Sequence, residues 1–177
     1  MSDFIQLWKP WTEIEPYKLP NTTNKILQGY SIAGLRTNFY IAPDLTLDAG
    51  LSIPFTSKYI LITHGHSDHI ASIPFHLYVK SSEIEPIKIF CPKEIVELLD
   101  NFICSLFQVS DCDPTLKPFG YEIIGVDENT SPVEIKLANT PHQLEFFKCV
   151  HSVPCIGYGI SIIKNKLKQE YVGLKSN

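Results

Sequence analysis

Three histidines and one aspartate stand close together at positions 64 to 69, in a segment that reads LITHGHSDHI from Leu61 to Ile70. Imidazole and carboxylate groups are the ligands that zinc prefers in catalytic sites. Because the four side chains follow one another within a single short loop, the pattern favours a metal centre over a chance cluster of surface histidines.

The spacing divides these four side chains into two pairs. In an extended loop, His64 and His66 point to the same side, since side chains alternate along the chain. Asp68 and His69 follow directly, where a tight turn can aim them at a neighbouring point. One loop can therefore supply ligands to two adjacent metal ions, which together can bind a phosphodiester or an acyl group.

Each metal needs further ligands, because zinc is typically held by about four. His151 is the best candidate, since it lies near the end of a predicted strand over 143–152 and precedes a Pro-Gly turn. His76 and His142 are interpreted as ordinary polar residues. Zinc is the expected metal from the ligand types, although manganese and iron also accept histidine and aspartate.

The elements that position these residues are mainly strands. Short runs rich in aliphatic and aromatic residues predict strands, at 25–30, 38–42, 45–48, 59–63, 87–92, 120–127, 132–138, 143–152 and 158–164. Apolar residues at helical spacing predict a helix over 93–110, and a second helix is predicted over 70–80, interrupted or restarted at Pro74. The order indicates an α+β layered domain with a mostly antiparallel sheet.

The bulk composition indicates one soluble domain over 1–177. Hydrophobic residues make up 44% of the chain, charged residues 19%, and the net charge is −4. This charge excludes a cationic surface over the whole molecule, so RNA binding would need a local basic patch. Four lysines near the end could contact phosphates or form a solvated tail, at positions 164, 166, 168 and 175.

The cysteines and the N-terminus predict a cytoplasmic protein without a membrane segment. Five cysteines are present, at positions 91, 104, 112, 149 and 155, and none is spaced as CxxC. The sequence MSDFIQLWKPW lacks the apolar region of a signal peptide. Reduced thiols in a cytosolic setting are the expectation.

THGHSDHI, at 63–70, resembles the HxHxDH signature of the metallo-β-lactamase fold. VHSVPCIGYGI, at 150–160, is similar to the third motif of the ribonuclease Z branch, and the order of LDAG, the histidine loop, the helix and this motif also resembles that branch. The resemblance implies an αββα sandwich. It covers the chain from about Gly29 to Leu174.

The resemblance implies roles for individual residues. His64, His66 and His151 would bind one zinc, and Asp68 and His69 would bind the second. Asp68 would also act as general base for a metal-bound water that attacks the phosphorus. In the family, this reaction releases the 3′ trailer of precursor tRNA. Asp48 would orient a ligand histidine, although a plain turn aspartate is an equal alternative.

Two departures from the family pattern affect these expectations. SIAGLRTNFYI replaces the glycine- and serine-rich N-terminal motif of the family. The family also has a bridging aspartate and a further histidine downstream of the third motif, and the sequence shows neither. We therefore expect the first half of the sandwich and the start of the second, in a domain truncated at the C-terminus.

Three functions stay open at this point. The first is a zinc-dependent ribonuclease Z-like endonuclease that processes tRNA 3′ ends. The second is another hydrolase of the same fold that acts on a small ester or thioester. The third is a catalytically incomplete interaction module, which could pair as a homodimer and share ligands across the interface.

Overall fold

The structure is a computed structural model that describes residues 11–20, 25–80 and 85–164. Strands outnumber helices along these residues. The strands are β1 (Tyr17–Lys18), β2 (Ile26–Ile32), β3 (Arg36–Ile41), β4 (Leu45–Ala49), β5 (Tyr59–Leu61), β6 (Ile87–Pro92), β7 (Tyr121–Val126), β8 (Val133–Leu137), β9 (Thr140–Lys148) and β10 (Ile156–Ile162). The α-helices are α1 (Ser67–Ile70), α2 (Ile73–Lys80) and α3 (Val96–Asp111), and 3₁₀ turns cover Trp11–Glu13 and Lys93–Ile95.

The strands of the described residues form two sheets. The larger sheet has the order β1-β2-β3-β4-β5-β6-β7, and the smaller one has the order β10-β9-β8. β1 to β4 are antiparallel, but β4, β5, β6 and β7 are parallel to one another. The prediction of a mostly antiparallel sheet is therefore wrong for this half of the larger sheet. The connections from β5 to β6 and from β6 to β7 cross over through α2 and α3, whereas β4 joins β5 through a loop at 50–58.

Buried residues on the two faces of the larger sheet belong to two separate cores. On β5 and just after it, Ile60 and Ile62 pack with the helices, whereas Leu61 faces the smaller sheet. α2 and α3 contribute Leu77 and Ile103 to the first core. The second core lies between the sheets. The described residues thus form three layers, helix, sheet and sheet, and the predicted α+β class is confirmed.

Several predicted boundaries differ from the observed ones. β9 ends at Lys148, so His151 lies in the following loop and not on a strand. The helix predicted over 93–110 begins with a 3₁₀ turn and becomes α-helical at Val96. α2 includes Pro74 near its start, where a missing backbone N–H costs nothing.

Two further observations complete the fold. Of the lysines at 164, 166, 168 and 175, the last three fall outside the described residues. Among the helices of the described part of the chain, none has the length and apolar character needed to cross a membrane.

Candidate metal centre

The histidine loop is held at the carboxyl end of β5, between β4 and β6. The backbone N–H of Ile156, at the start of β10, donates to the carbonyl of Thr63 at 2.9 Å. This bond joins the smaller sheet to the residue just before His64. β10 directly follows the loop that carries His151. The bond therefore holds this loop next to the one that carries His64, His66 and His69.

His64, His66 and His151 converge in space. One ring nitrogen from each lies within 4.8 Å of the other two. The ring centroids of His64 and His151 are 4.3 Å apart, and those of His66 and His151 are 5.1 Å apart. Two loops separated by a long stretch of sequence therefore place three imidazoles around one point.

The donor set of these three residues fits a zinc ion. Nε2 of His64 lies 3.1 Å from Nδ1 of His66, and two nitrogens on one tetrahedral zinc are roughly 3.3 Å apart. Burial lowers the pKa of His64 to about 4, and the neighbouring His69 and His151 add to this effect. His64 is therefore neutral near pH 7, the state in which an imidazole binds a metal.

Asp68 and His69 lie on α1, next to the three converging histidines. Oδ2 of Asp68 is 3.4 Å from Nε2 of His69, and the ring of His69 is 4.0 Å from that of His64. The backbone N–H of Gly34, in the turn between β2 and β3, donates to Oδ2 of Asp68 at 2.9 Å. The Asp68 side chain is thus buried and fixed beside the three histidines.

Asp48 lies behind this pair, at the end of β4. Its Oδ2 is 2.8 Å from Nδ1 of His69, which leaves Nε2 of His69 directed at Asp68. Burial by itself would lower the pKa of His69. The hydrogen bond that His69 donates to Asp48, together with the charges of Asp48 and Asp68, outweighs that effect and raises the pKa of His69 overall.

Thr63 connects Asp48 to His64 and was not identified from the sequence. Its backbone N–H donates to Oδ1 of Asp48 at 2.8 Å, and its hydroxyl is 3.0 Å from both carboxylate oxygens. The same hydroxyl is 2.9 Å from Nδ1 of His64. A threonine directly before a ligand histidine, with an aspartate on the neighbouring strand, is the sequence signal that could have indicated this network.

Gly50 is a second residue that sequence reasoning missed. A Cβ built on Gly50 would lie 1.6 Å from the backbone oxygen of Asp68. The chain therefore needs glycine here, because α1 packs directly onto the backbone at the end of β4. The glycine of LDAG sets the distance between Asp48 and the histidine loop.

Tyr158, on the smaller sheet, forms hydrogen bonds to the backbone of the larger sheet near the histidine loop. Its hydroxyl lies within hydrogen-bonding distance of two backbone carbonyls, 2.8 Å from that of Ile62 and 3.1 Å from that of Phe90. Burial raises its pKa well above the usual value, so the hydroxyl keeps its proton. The Gly-Tyr pair of the third motif thus has a structural basis, since it ties β10 to the ends of β5 and β6.

His76 and His142 lie away from this cluster. His76 is buried on α2, and His142 is buried on β9, where it contacts Lys25 and lies 2.7 Å from the carbonyl of Thr140. Neither belongs to the group of ring nitrogens around His64.

A cleft of about 650 Å³ opens beside His151. The loop from Lys148 to Ile156 forms one wall, and residues 92–94 and 127–129 form the other. Lys93 pairs with Asp127, and Nζ of Lys148 lies 3.8 Å from Glu128. Glu94 adds a third carboxylate, so the cleft has no excess of positive charge, although it gives a substrate access to the exposed His151.

Comparisons with known proteins relate the chain to one family. No protein-family model matches it. It is 31% identical over 173 residues to the nuclear ribonuclease Z of Triticum aestivum, which aligns 94% of this chain with 87% of that protein. It is 33% identical over 159 residues to a chloroplastic tRNase Z of Arabidopsis thaliana, but spans 41% of that relative. A second Arabidopsis tRNase Z is 27% identical and is covered over 54% of its length.

Two solved structures are similar to this chain at lower identity. The human tRNase Z, short form, gives a TM-score of 0.48 at 20% identity, covering 82% of this chain and 60% of that one. The metallo-beta-lactamase fold protein YhfI from Bacillus subtilis gives a TM-score of 0.48 at 19% identity, and the match covers 82% of this chain and 53% of that one. The resemblance read from the two histidine motifs is confirmed by the wheat relative, and this chain belongs to the ribonuclease Z family of enzymes.

Proposed function

We propose that the chain acts as a zinc-dependent endoribonuclease that hydrolyses a phosphodiester of precursor tRNA and releases its 3′ trailer. The observation that carries the proposal is the convergence of His64, His66 and His151, whose ligand atoms lie within 4.8 Å of one another. The identity to the wheat ribonuclease Z supports the choice of RNA over another ester.

The proposal gives each residue of the centre one task. His64, His66 and His151 would hold one zinc, and Asp68 and His69 would hold a second. Zinc, when bound, supplies positive charge to the phosphoryl oxygens and makes a water molecule more acidic. The Asp68 carboxylate, fixed by Gly34, would accept the proton of the attacking water as general base.

Asp48 would keep His69 in the orientation that the reaction needs. Its carboxylate accepts from Nδ1 of His69 and from the backbone of Thr63. A histidine whose Nδ1 carries the proton presents the lone pair of Nε2, which is the form required of a metal ligand. This hydrogen bond also keeps the ring from turning away from Asp68.

Because the cleft has no excess of positive charge, the metals would be the main attraction for phosphate in this part of the molecule. Lys93 and Lys148 are both close to carboxylates, which reduces the charge they offer to RNA. We therefore expect that removing the metals weakens both the binding and the cleavage of RNA. Lysines beyond residue 164 would add binding that falls as salt rises.

The test is cleavage of a precursor tRNA with a labelled 3′ trailer by the zinc-loaded protein. His151→Ala should abolish trailer release, whereas His142→Gln, which changes a histidine outside the cluster, should retain it. The proposal is wrong if the zinc-loaded protein leaves the RNA intact and hydrolyses a thioester or a lactone supplied in parallel. Equal activity of His151→Ala and the unaltered protein would also overturn it.

Three finer points stay predictions. Zinc is expected over manganese or iron, and metal analysis of the purified protein checks this. A cytoplasmic location is expected, although the relatives include proteins named as nuclear and chloroplastic, and fractionation of the source cells checks it. A homodimer that shares ligands is checked by size-exclusion chromatography with light scattering.

A further inference from the structure

Two cysteines face each other across the hairpin that carries His151. β9 and β10 pair antiparallel, with Lys148 opposite Ile156. The next step outward places Cys149 opposite Cys155, and the backbone N–H of Cys149 donates to the carbonyl of Cys155 at 3.1 Å. Directly opposed residues in such a pair have Cα atoms about 5.5 Å apart, which lies within the range that a disulfide spans.

The side chains of this pair lie on the same face. A Cβ built on Gly157 would meet the sulfur of Cys149 at 3.0 Å, so the Cys149 thiol lies over the β10 side of the hairpin. Burial raises the pKa of Cys155, and contact with the Cys149 thiol adds to the rise. The two sulfurs are therefore neighbours on one face of the hairpin.

Both thiols are open to reagents. Cys149 is exposed and Cys155 is partly exposed, and both line the cleft beside His151. The other cysteines lack such a partner among the described residues. Cys91 is buried, with a pKa raised to about 12 by burial, and Cys104 lies 3.8 Å from the hydroxyl of Tyr121.

We propose that Cys149 and Cys155 are a modification site, at which a peroxide forms a reversible disulfide that closes the loop around His151. The sulfur of Cys149 attacks a peroxide oxygen, so that an S–O bond forms, the O–O bond breaks and water leaves. The sulfur of Cys155 then attacks Cys149. The S–S bond forms, the S–O bond breaks, and the departing hydroxide takes the Cys155 proton as water.

The step is balanced in atoms and electrons. The two sulfurs lose one electron each, and the peroxide gains both and leaves as two waters. A dithiol reverses the reaction by thiol–disulfide exchange. The proposal is independent of the ribonuclease function, since it depends on the hairpin geometry alone.

The experiment is differential alkylation of the full chain after treatment with hydrogen peroxide. Trypsin releases residues 149–164 as one peptide that contains these two cysteines and no other. The expected result is a peptide that is lighter by two hydrogens and resists alkylation until it is reduced. Its thiols should disappear at least about tenfold faster than the buried thiol of Cys91.

Matched variants separate the pair from the other thiols. Cys149→Ser and Cys155→Ser should each abolish the intrapeptide loss of two hydrogens. The double variant Cys104→Ser/Cys112→Ser should keep it and should remove any cross-link between molecules through the exposed Cys112. Oxidation of the exposed Cys112 shows that the peroxide has acted. The proposal is wrong if both cysteines of the 149–164 peptide are still fully alkylated in that sample.

Discussion

Oδ2 of Asp48 lies 2.8 Å from Nδ1 of His69, at the end of the strand next to the histidine loop. The residues are far apart in sequence, but parallel pairing of β4 with β5 brings the ends of these strands together. Because Nδ1 is engaged, His69 presents Nε2 to Asp68. We therefore propose that Asp48 fixes the orientation of the His69 ring.

Replacing Asp48 should weaken the metal bound by Asp68 and His69. We expect Asp48→Ala to reduce the affinity for one of two metals by about 10- to 100-fold, the usual effect of losing a partner of a ligand histidine. Titration with a zinc indicator measures both affinities. Asp48→Asn is the milder variant, because asparagine tolerates the positive φ of 56° at this position. Unchanged affinities in Asp48→Ala would show that Asp48 is a plain turn residue.

Replacing Asp68 should remove both hydrolysis and metal. Asp68→Ala takes away the expected general base and one ligand, so the rate of phosphodiester cleavage should fall by about a hundredfold or more. Zinc content should fall in the same sample. Asp113→Ala is the control, since Asp113 lies in a loop after α3, where its carboxylate binds Thr115. Unchanged cleavage of a bis-p-nitrophenyl phosphate by Asp68→Ala would contradict this role.

A methyl group at Gly50 should disrupt the centre, whereas one at Gly65 should not. The Gly50 Cβ would overlap the backbone of Asp68, but the Gly65 Cβ would lie 3.6 Å from Ile95, an ordinary contact. We expect Gly50→Ala to lower the free energy of unfolding by about 3 kcal/mol, as severe overpacking does. Urea denaturation of both variants checks this. Similar stability for the two would show that α1 does not pack onto β4 as described.

The ion pair of Lys93 and Asp127 should stabilise the fold above pH 3.8 and should no longer do so below about pH 2. The hydrogen bond from Lys93, together with those from Thr130 and Asn129, lowers the pKa of Asp127 from 3.8 to about 2. Because the folded pKa is depressed, the contribution is present above pH 3.8 and is lost as the pH falls towards 2.

The measurement is the urea midpoint as a function of pH. Asp127→Asn should lower the urea midpoint at pH 6. Between pH 3.8 and about pH 2, the midpoint of this variant should fall less than that of the unaltered protein. Lys93→Met should give the same pattern, since it removes the partner. A decline as steep in both variants as in the unaltered protein would show that other carboxyl groups cause the acid sensitivity.

The sequence was informative where a pattern depends on local physics. β6 was predicted with the observed bounds, because the apolar run IKIFCP is buried along almost its whole length. The histidine loop was found because metal binding needs those residue types in close spacing. The ends of β9 and β10 were misplaced by a few residues, since apolar runs continue past the last paired residue.

The contacts between distant segments could not be predicted from spacing. Nothing in the local sequence around Gly34 indicates that its N–H binds Asp68, and nothing near Thr63 indicates the approach of Ile156. These contacts depend on the order of strands in the sheets. The parallel half of the larger sheet was missed for the same reason, because pairing direction depends on how the chain crosses from each strand to the next.

The most direct test of the metal centre is the zinc content of the purified protein and of four variants, measured by elemental mass spectrometry. We expect zinc to be bound to the unaltered chain, and one metal to be lost selectively in His64→Ala, His66→Ala and His151→Ala, since these histidines would hold the same ion. His142→Gln should keep the full content. A zinc content that is the same in all five proteins, or absent from the unaltered chain, would contradict a metal centre at these histidines.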